Sequence, residues 1–398
     1  MNIDDLRQLA KKRLPKVCYD FIEGGTDDEL GLMTNEQAFR QMRIVPRYLI
    51  DVSEREQSTT LFGSTYSSPI GIAPTGLAGL FRHSADLMLA EAARDANVPF
   101  IMSGTSTSSV EDLGKLAPDH GWYQIYSAAD PSISEDMIKR VRDAGLKTLV
   151  FTVDVPQPSN RERGIRSGWG PSRTLAWKTK FEALRHPAWM MQWLQHGTPC
   201  FSNWARYAGP NASAKEVADL VARQFGAPMT WKHVERYRKL WNGIFVLKGI
   251  MHPDDALRAH SHDVDGIIVS NHGGRQLDNA PSPLEVLPTI CHAVGDRMPV
   301  MLDGGVRRGL HALIALCMGA KFVFQGRPTL YGVTAGGVAG AAKALAIFRR
   351  EIDISMAQIG ATKIHDLGPQ FLMWKHKSDE HKQPLRDTSL RVCDIADE

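Results

Sequence analysis

The stretch Asp265-Gly266-Ile267-Ile268-Val269-Ser270-Asn271-His272-Gly273-Gly274-Arg275-Gln276-Leu277-Asp278 runs from a short apolar segment into a loop. That loop carries an imidazole, a guanidinium and two glycines. β-Branched residues dominate the segment and a turn signal closes it, so residues 266–269 read as a buried strand. A side chain at a strand end is held by the sheet, while glycine lets a ligand approach the backbone. Alone, the loop reads equally as a tight turn with solvated polar residues. Its meaning depends on how often the chain repeats the unit.

The unit recurs. Apolar runs at residues 70–73, 99–102, 122–126, 148–153, 244–247, 266–269, 299–302 and 321–324 give eight candidate strands. Helical patterns such as 85–96, 133–144, 253–260 and 310–318 lie between them. Eight alternations of strand and helix predict an α/β chain folded as a (β/α)8 TIM barrel. An open doubly wound sheet does not need eight units, and no GxGxxG follows the first strand. Residues 3–23 are expected to form one N-terminal helix ended by Gly24-Gly25, and residues 40–68 fit no periodic pattern. Residues 1–398 are expected to form a single barrel domain.

Between the fourth and fifth strands the rhythm is broken by about ninety residues, 155–243. This insertion holds Trp169, Trp177, Trp189, Trp193 and Trp204, and across 161–208 eight Lys/Arg face only Glu162 and Glu182. Tryptophan beside cationic residues suits a surface resting on anionic lipid. A lid or subunit contact that buries the tryptophans fits the same composition.

Composition narrows the classes further. With 398 residues, 43% hydrophobic and 23% charged, the chain matches an ordinary globular enzyme. A net charge of +3 is too small to imply a nucleic-acid partner. Five scattered cysteines without a CxxC pair read as reduced thiols of a cytoplasmic protein. Neither a secretory leader nor an apolar run long enough to span a bilayer is expected.

In a barrel of this kind functional groups gather at the C-terminal strand ends. Pro74-Thr75-Gly76, Ser103, Gln124 and Tyr126, Thr152 and Asp154, Lys248, His272 and Arg275, Asp303-Gly304-Gly305, and Gly326-Arg327 all fall there. The Asp303–Gly309 loop leads into a helix, so its N–H groups and Arg307, with Gly326-Arg327, make a phosphate cradle. Lys248 pointing inward needs a partner. A flavin provides one, because its N1/C2 edge becomes negative on reduction. Ser103, Gln124 and Thr152 would meet the ring's other edges. A Schiff-base lysine is the competing reading. His272 has the pKa range of a general base, and Asp154 is expected to orient it. Arg275 and Arg161 are candidates for a substrate carboxylate. No partner at metal-ligand spacing accompanies His272, so no metal is expected.

These residues together resemble the FMN-dependent 2-hydroxy-acid oxidase and dehydrogenase family. Ser270–Asp278 looks like that family's active-site signature. The likeness runs from Leu14-Pro15-Lys16 through Gln124-Ile125-Tyr126, Thr152-Val153-Asp154 and Lys248-Gly249-Ile250 to Gly326-Arg327. Within the family the chain is most similar to bacterial mandelate and L-lactate dehydrogenases, through Gly76 and the Trp-rich insertion. The resemblance implies FMN held by Pro74, Thr75, Gly76, Ser103, Gln124, Thr152, Lys248, Arg307, Gly326 and Arg327. It implies His272 as base, and substrate held by Arg275, Arg161 and Tyr126. It further implies a homotetramer and, as electron acceptor, a quinone, a carrier protein or oxygen. The insertion would allow peripheral contact with the inner face of the cytoplasmic membrane.

One position departs from the pattern: Phe21 stands where the family carries a substrate-binding tyrosine. Loss of one hydrogen bond to a charged group costs about 1.5–3 kcal/mol. A small hydroxy acid should therefore bind worse, and an aromatic or bulky mandelate-like acid is favoured. The alternative is a family member oxidising a different alcohol or amine centre, such as an ester, an amide or a biosynthetic intermediate.

Overall fold

The computed structural model describes residues 1–168, 181–226 and 229–374. Eight parallel strands close into a barrel. They are β1 (Ile70–Ile72), β2 (Phe100–Met102), β3 (Gly121–Ile125), β4 (Thr148–Thr152), β5 (Ile244–Ile250), β6 (Gly266–Val269), β7 (Val300–Leu302) and β8 (Phe322–Gln325). Each falls on a run expected from sequence. Both faces of these strands are covered, so they read as apolar runs rather than alternations. Inward-facing Ile101, Trp122, Val150, Val246, Ile268, Met301, Phe322 and Phe324 fill the barrel. The hairpin Thr59–Leu61/Ser64–Tyr66, within the stretch that had no sequence assignment, adds Leu61 and Tyr66 to that filling.

The N-terminal segment differs from expectation. Instead of one helix it forms α1 (Ile3–Arg13) and α2 (Lys16–Glu23). Pro15 has no N–H and pushes its predecessor out of the helical region, so Leu14 is extended at φ −98°, ψ 140°. The break frees α2 to lay its C-terminal end over the barrel mouth. After it comes α3 (Leu30–Gln41), joined to the β6 loop by the reciprocal amide pair Asn35–Asn271 at 2.9 and 2.7 Å.

The insertion contributes α4 (Pro187–His196), α5 (Ala214–Gln224) and α6 (Trp231–Leu240). Its tryptophans divide. Trp189 and Trp204 are buried and donate their indole N–H to Leu80 O and Gly104 O, both at 2.8 Å. Trp193 is 43% exposed. Trp169 and Trp177 lie outside the described residues. The last long helix, α7 (Arg327–Ile359), corrects the expectation that no segment reaches membrane-spanning length and hydropathy, since by length and composition it does. It is broken at Gly336-Gly337 and mostly buried, packing on α1 as a core helix.

Candidate active site

At the mouth of the barrel lies a cavity of about 570 Å³. His272 ends in it with Nδ1 3.0 Å from Asp154 Oδ1. An anionic oxygen there selects the tautomer with hydrogen on Nδ1 and leaves the Nε2 lone pair free. The imidazole is placed by an unusual backbone: His272 has φ 57°, left-handed, which costs a non-glycine residue about 1–2 kcal/mol. Its N–H donates to Ser270 Oγ at 3.1 Å, and Gly274 beyond it donates to the Asn271 carbonyl at 3.1 Å. Gly274 has φ 73°, and a Cβ there would lie 2.5 Å from Leu32 N, so only glycine lets this loop meet α3.

Asp154 sits against Gly249, whose Cβ would fall 2.6 Å from the aspartate's Cβ and Cγ. Burial would raise the Asp154 carboxyl, but His272 and Lys248 outweigh it and hold it below the usual range. For His272 burial wins over Asp154, pushing the imidazole below its ordinary value. The imidazole is therefore neutral at pH 7. Lys248 is 4% exposed and donates to Ser270 Oγ at 3.0 Å, with Asp303 Oδ2 3.2 Å away. Burial lowers its affinity for a proton, yet Asp303 and Asp154 more than restore it. That ammonium stays charged, whereas a lysine that forms a Schiff base must be a neutral amine when it attacks the carbonyl.

The guanidiniums divide by what already holds them. Arg275 donates to Phe21 O (2.8 Å) and Gly24 O (2.7 Å) at the end of α2, and lies over the Phe21 ring 5.0 Å from its centre. Arg161 donates to Ser159 Oγ and to Gln276 Oε1 at 3.0 and 2.9 Å. Neither is paired with a carboxylate among the described residues. Burial disfavours the charge of both, a penalty that an anion in the cavity relieves. Arg307 is paired with Glu36 at 3.1 Å, a partner that sequence spacing gave no means to find. Arg327 donates to Ile22 O, Gly24 O and Gly273 O, so it ties α2 to the β6 loop.

Pro74, Thr75, Gly76, Gln124, Gly304, Gly305 and Gly326 line the cavity as expected. A Cβ on Gly76 would lie 2.3 Å from Thr105 Oγ1, so an alanine requires that hydroxyl to turn away. Ser103 and Thr152 stand behind the wall: Ser103 pairs with Thr105 Oγ1 at 3.0 Å, and Thr152 accepts from Gln124 Nε2 at 2.7 Å. Tyr126 forms part of the lining with Phe225, their rings edge to face at 4.9 Å. Phe225, with Ala222 and Gly226, comes from the end of α5 in the insertion and had no sequence signal. Trp204 backs it, ring centres 5.8 Å apart.

The donor set fits FMN. Backbone N–H groups at Gly304 and Gly305, both at positive φ, suit a phosphate, and the Lys248 ammonium suits a ring edge that gains negative charge. Arg161 and Arg275 remain for a second anion.

Comparison with known proteins agrees. A family model described as FMN-dependent dehydrogenase matches residues 10–374. The chain is 38% identical to (S)-mandelate dehydrogenase of Pseudomonas putida over 371 residues, 93% of each chain. It is 35% identical to L-lactate dehydrogenase of Pseudomonas syringae pv. syringae (strain B728a), covering 93% of this chain and 97% of the relative. The crystal structure of the monotopic membrane protein (S)-mandelate dehydrogenase superposes with TM-score 0.90 at 37% identity, covering 94% and 98% of the two chains.

Proposed function

The chain belongs to the FMN-dependent dehydrogenases acting on 2-hydroxy acids, and on that premise we propose that it oxidises a mandelate-like, aromatic or bulky 2-hydroxy acid to the 2-oxo acid. The observation that carries this reading is the pair Arg161 and Arg275, free of carboxylate partners among the described residues, beside a neutral His272 already oriented by Asp154. In this reading the guanidiniums hold the substrate carboxylate. His272 Nε2 takes a proton from the substrate, and Asp154 stabilises the imidazolium that results. Tyr126, Phe225 and Phe21 supply the apolar wall for an aromatic group. FMN, when bound, supplies the two-electron acceptor. Anaerobic titration of the yellow enzyme with (S)-mandelate should bleach it and with lactate should do so far less readily. Equal response to both acids sinks the substrate assignment.

Phe21 supports a second reading, in which the oxidised centre lies beside an ester or amide, because the wall there offers no hydroxyl. Mandelamide and methyl mandelate bleaching the enzyme more readily than mandelate would favour it.

The reading extends to the whole of residues 1–398 as one FMN-binding domain, assembled as a homotetramer. Peripheral membrane attachment is part of it: Phe181, Leu184, Met191 and Leu194 are each more than half exposed, with Arg185 beside them in sequence. The mandelate dehydrogenase it resembles is a monotopic membrane protein. Sedimentation with anionic vesicles should carry the enzyme down, and Met191→Glu/Leu194→Glu should leave it in the supernatant. Electrons then pass to a quinone, a carrier protein or oxygen.

A further inference from the structure

A second cavity, of about 240 Å³, lies against α4, and the proposed reaction makes no use of it. The loop after β1, the loop after β2 and α4 itself form its walls. Inside it the His83 and His196 rings stack 3.7 Å apart and 9° from parallel. Trp189 forms a fixed wall, its N–H committed to Leu80 O. Among the described residues, neither imidazole and not the Trp193 indole has a hydrogen-bond partner.

The cavity also has a short path to the flavin site. Gly76 and Thr105 line the first cavity, and Gly79 and Thr107 line the second. Gly76 and Gly79 are three residues apart, at most about 11 Å of extended chain. Thr105 and Thr107 are closer still. On the outer side α4 exposes Met191 (57%) and Leu194 (67%) next to Trp193.

We propose that this second cavity takes the ring of a quinone, the acceptor that returns reduced FMN to its oxidised form. The proposal rests on the FMN dehydrogenase reading above. A flat apolar ring packs against indole and imidazole faces. Its two carbonyl oxygens need donors, and the N–H groups of His83, His196 and Trp193 are unengaged. An isoprenoid or alkyl tail leaves along Met191 and Leu194. In the step the quinone gains two electrons and two protons, its carbonyl oxygens becoming hydroxyls. Reduced FMN loses the same two electrons and two protons, and the protons cross through solvent and the imidazoles.

The test is calorimetric titration of the oxidised, FMN-loaded enzyme with decylubiquinone. Saturating phenylglyoxylate, which fills the barrel cavity, should leave quinone binding unchanged. His83→Ala and Trp193→Ala should each weaken it about tenfold, the loss of one aromatic contact. Both variants should still oxidise mandelate with ferricyanide at the parent rate. Displacement of the quinone by phenylglyoxylate overturns the proposal, as does unaltered affinity in both variants. Decanol binding as tightly as the quinone also overturns it, since the cavity would then recognise an alkyl chain. Bleaching by mandelate is read separately, so a wrong substrate and a wrong quinone site give different results.

Discussion

Strand ends and insertion face the same cavity but are built by different rules. His272, Asp154 and Lys248 stand on or just after barrel strands, locked by short hydrogen-bonded links to each other and to Ser270. Phe225 reaches the cavity from the end of α5 and is held by ring packing on Tyr126 and Trp204. Polar contacts of fixed geometry set where a proton goes; apolar contacts set which side chain fits. The strand ends should therefore govern rate, and the insertion should govern choice of substrate.

The strongest way to break that division is His272→Ala. Loss of a general base costs roughly 10²–10⁴ in kcat, and stopped-flow reduction should show it for every substrate. Asp154→Asn comes next, with about ten- to hundredfold lost as a hydrogen bond to a charged carboxylate becomes at best one to a neutral amide. Its pH profile carries more information. Activity needs the neutral imidazole, so it falls as pH drops through the His272 pKa, which burial holds below the free value of about 6.5. Asp154 pulls that pKa up, so its removal should shift the acid limb to lower pH while reducing the plateau. An acid limb shifted upward would contradict the pairing.

Phe21→Tyr sharpens the comparison from the other side. A restored hydroxyl should lower KM for lactate by about ten- to hundredfold and change kcat for mandelate little. Phe225→Ala should raise KM for mandelate by up to about tenfold and leave lactate nearly unaffected. If it instead depresses kcat for both acids, the insertion is part of the catalytic frame and the division fails. The smallest effect is on stability. His311 stacks on Phe39 at 4.5 Å and is pushed down to about 4 by burial. The unfolded chain takes up that proton near pH 6.5 and the native chain only near pH 4, so stability falls as pH drops between them. His311→Gln should flatten the dependence of Tm on pH across that window.

The same contrast explains what could be read from the sequence. All eight strands were legible, because a strand covered on both faces writes a continuous apolar run. Their ends were legible because polar residues directly after such runs stand out, as His272 and Asp154 do. Contacts made between distant segments left no trace. Glu36 on Arg307, Gln276 on Arg161 and Phe225 on Tyr126 depend on tertiary approach, which no local spacing encodes. Gly249 sat in plain view, but its purpose, leaving room for Asp154, exists only once β4 and β5 are side by side. Of the insertion's tryptophans, composition alone could not separate Trp189 and Trp204, which serve the core, from Trp193, which does not.

The turn at Pro15 has a consequence for how the protein is made. The last carbonyls of α2 receive Arg275 and Arg327, and Arg327 follows the final barrel strand. This segment is synthesised before the barrel strands, yet it finds its seat only when the eighth of them arrives. Until then the nascent chain must keep the apolar face of its opening helices from straying to other surfaces.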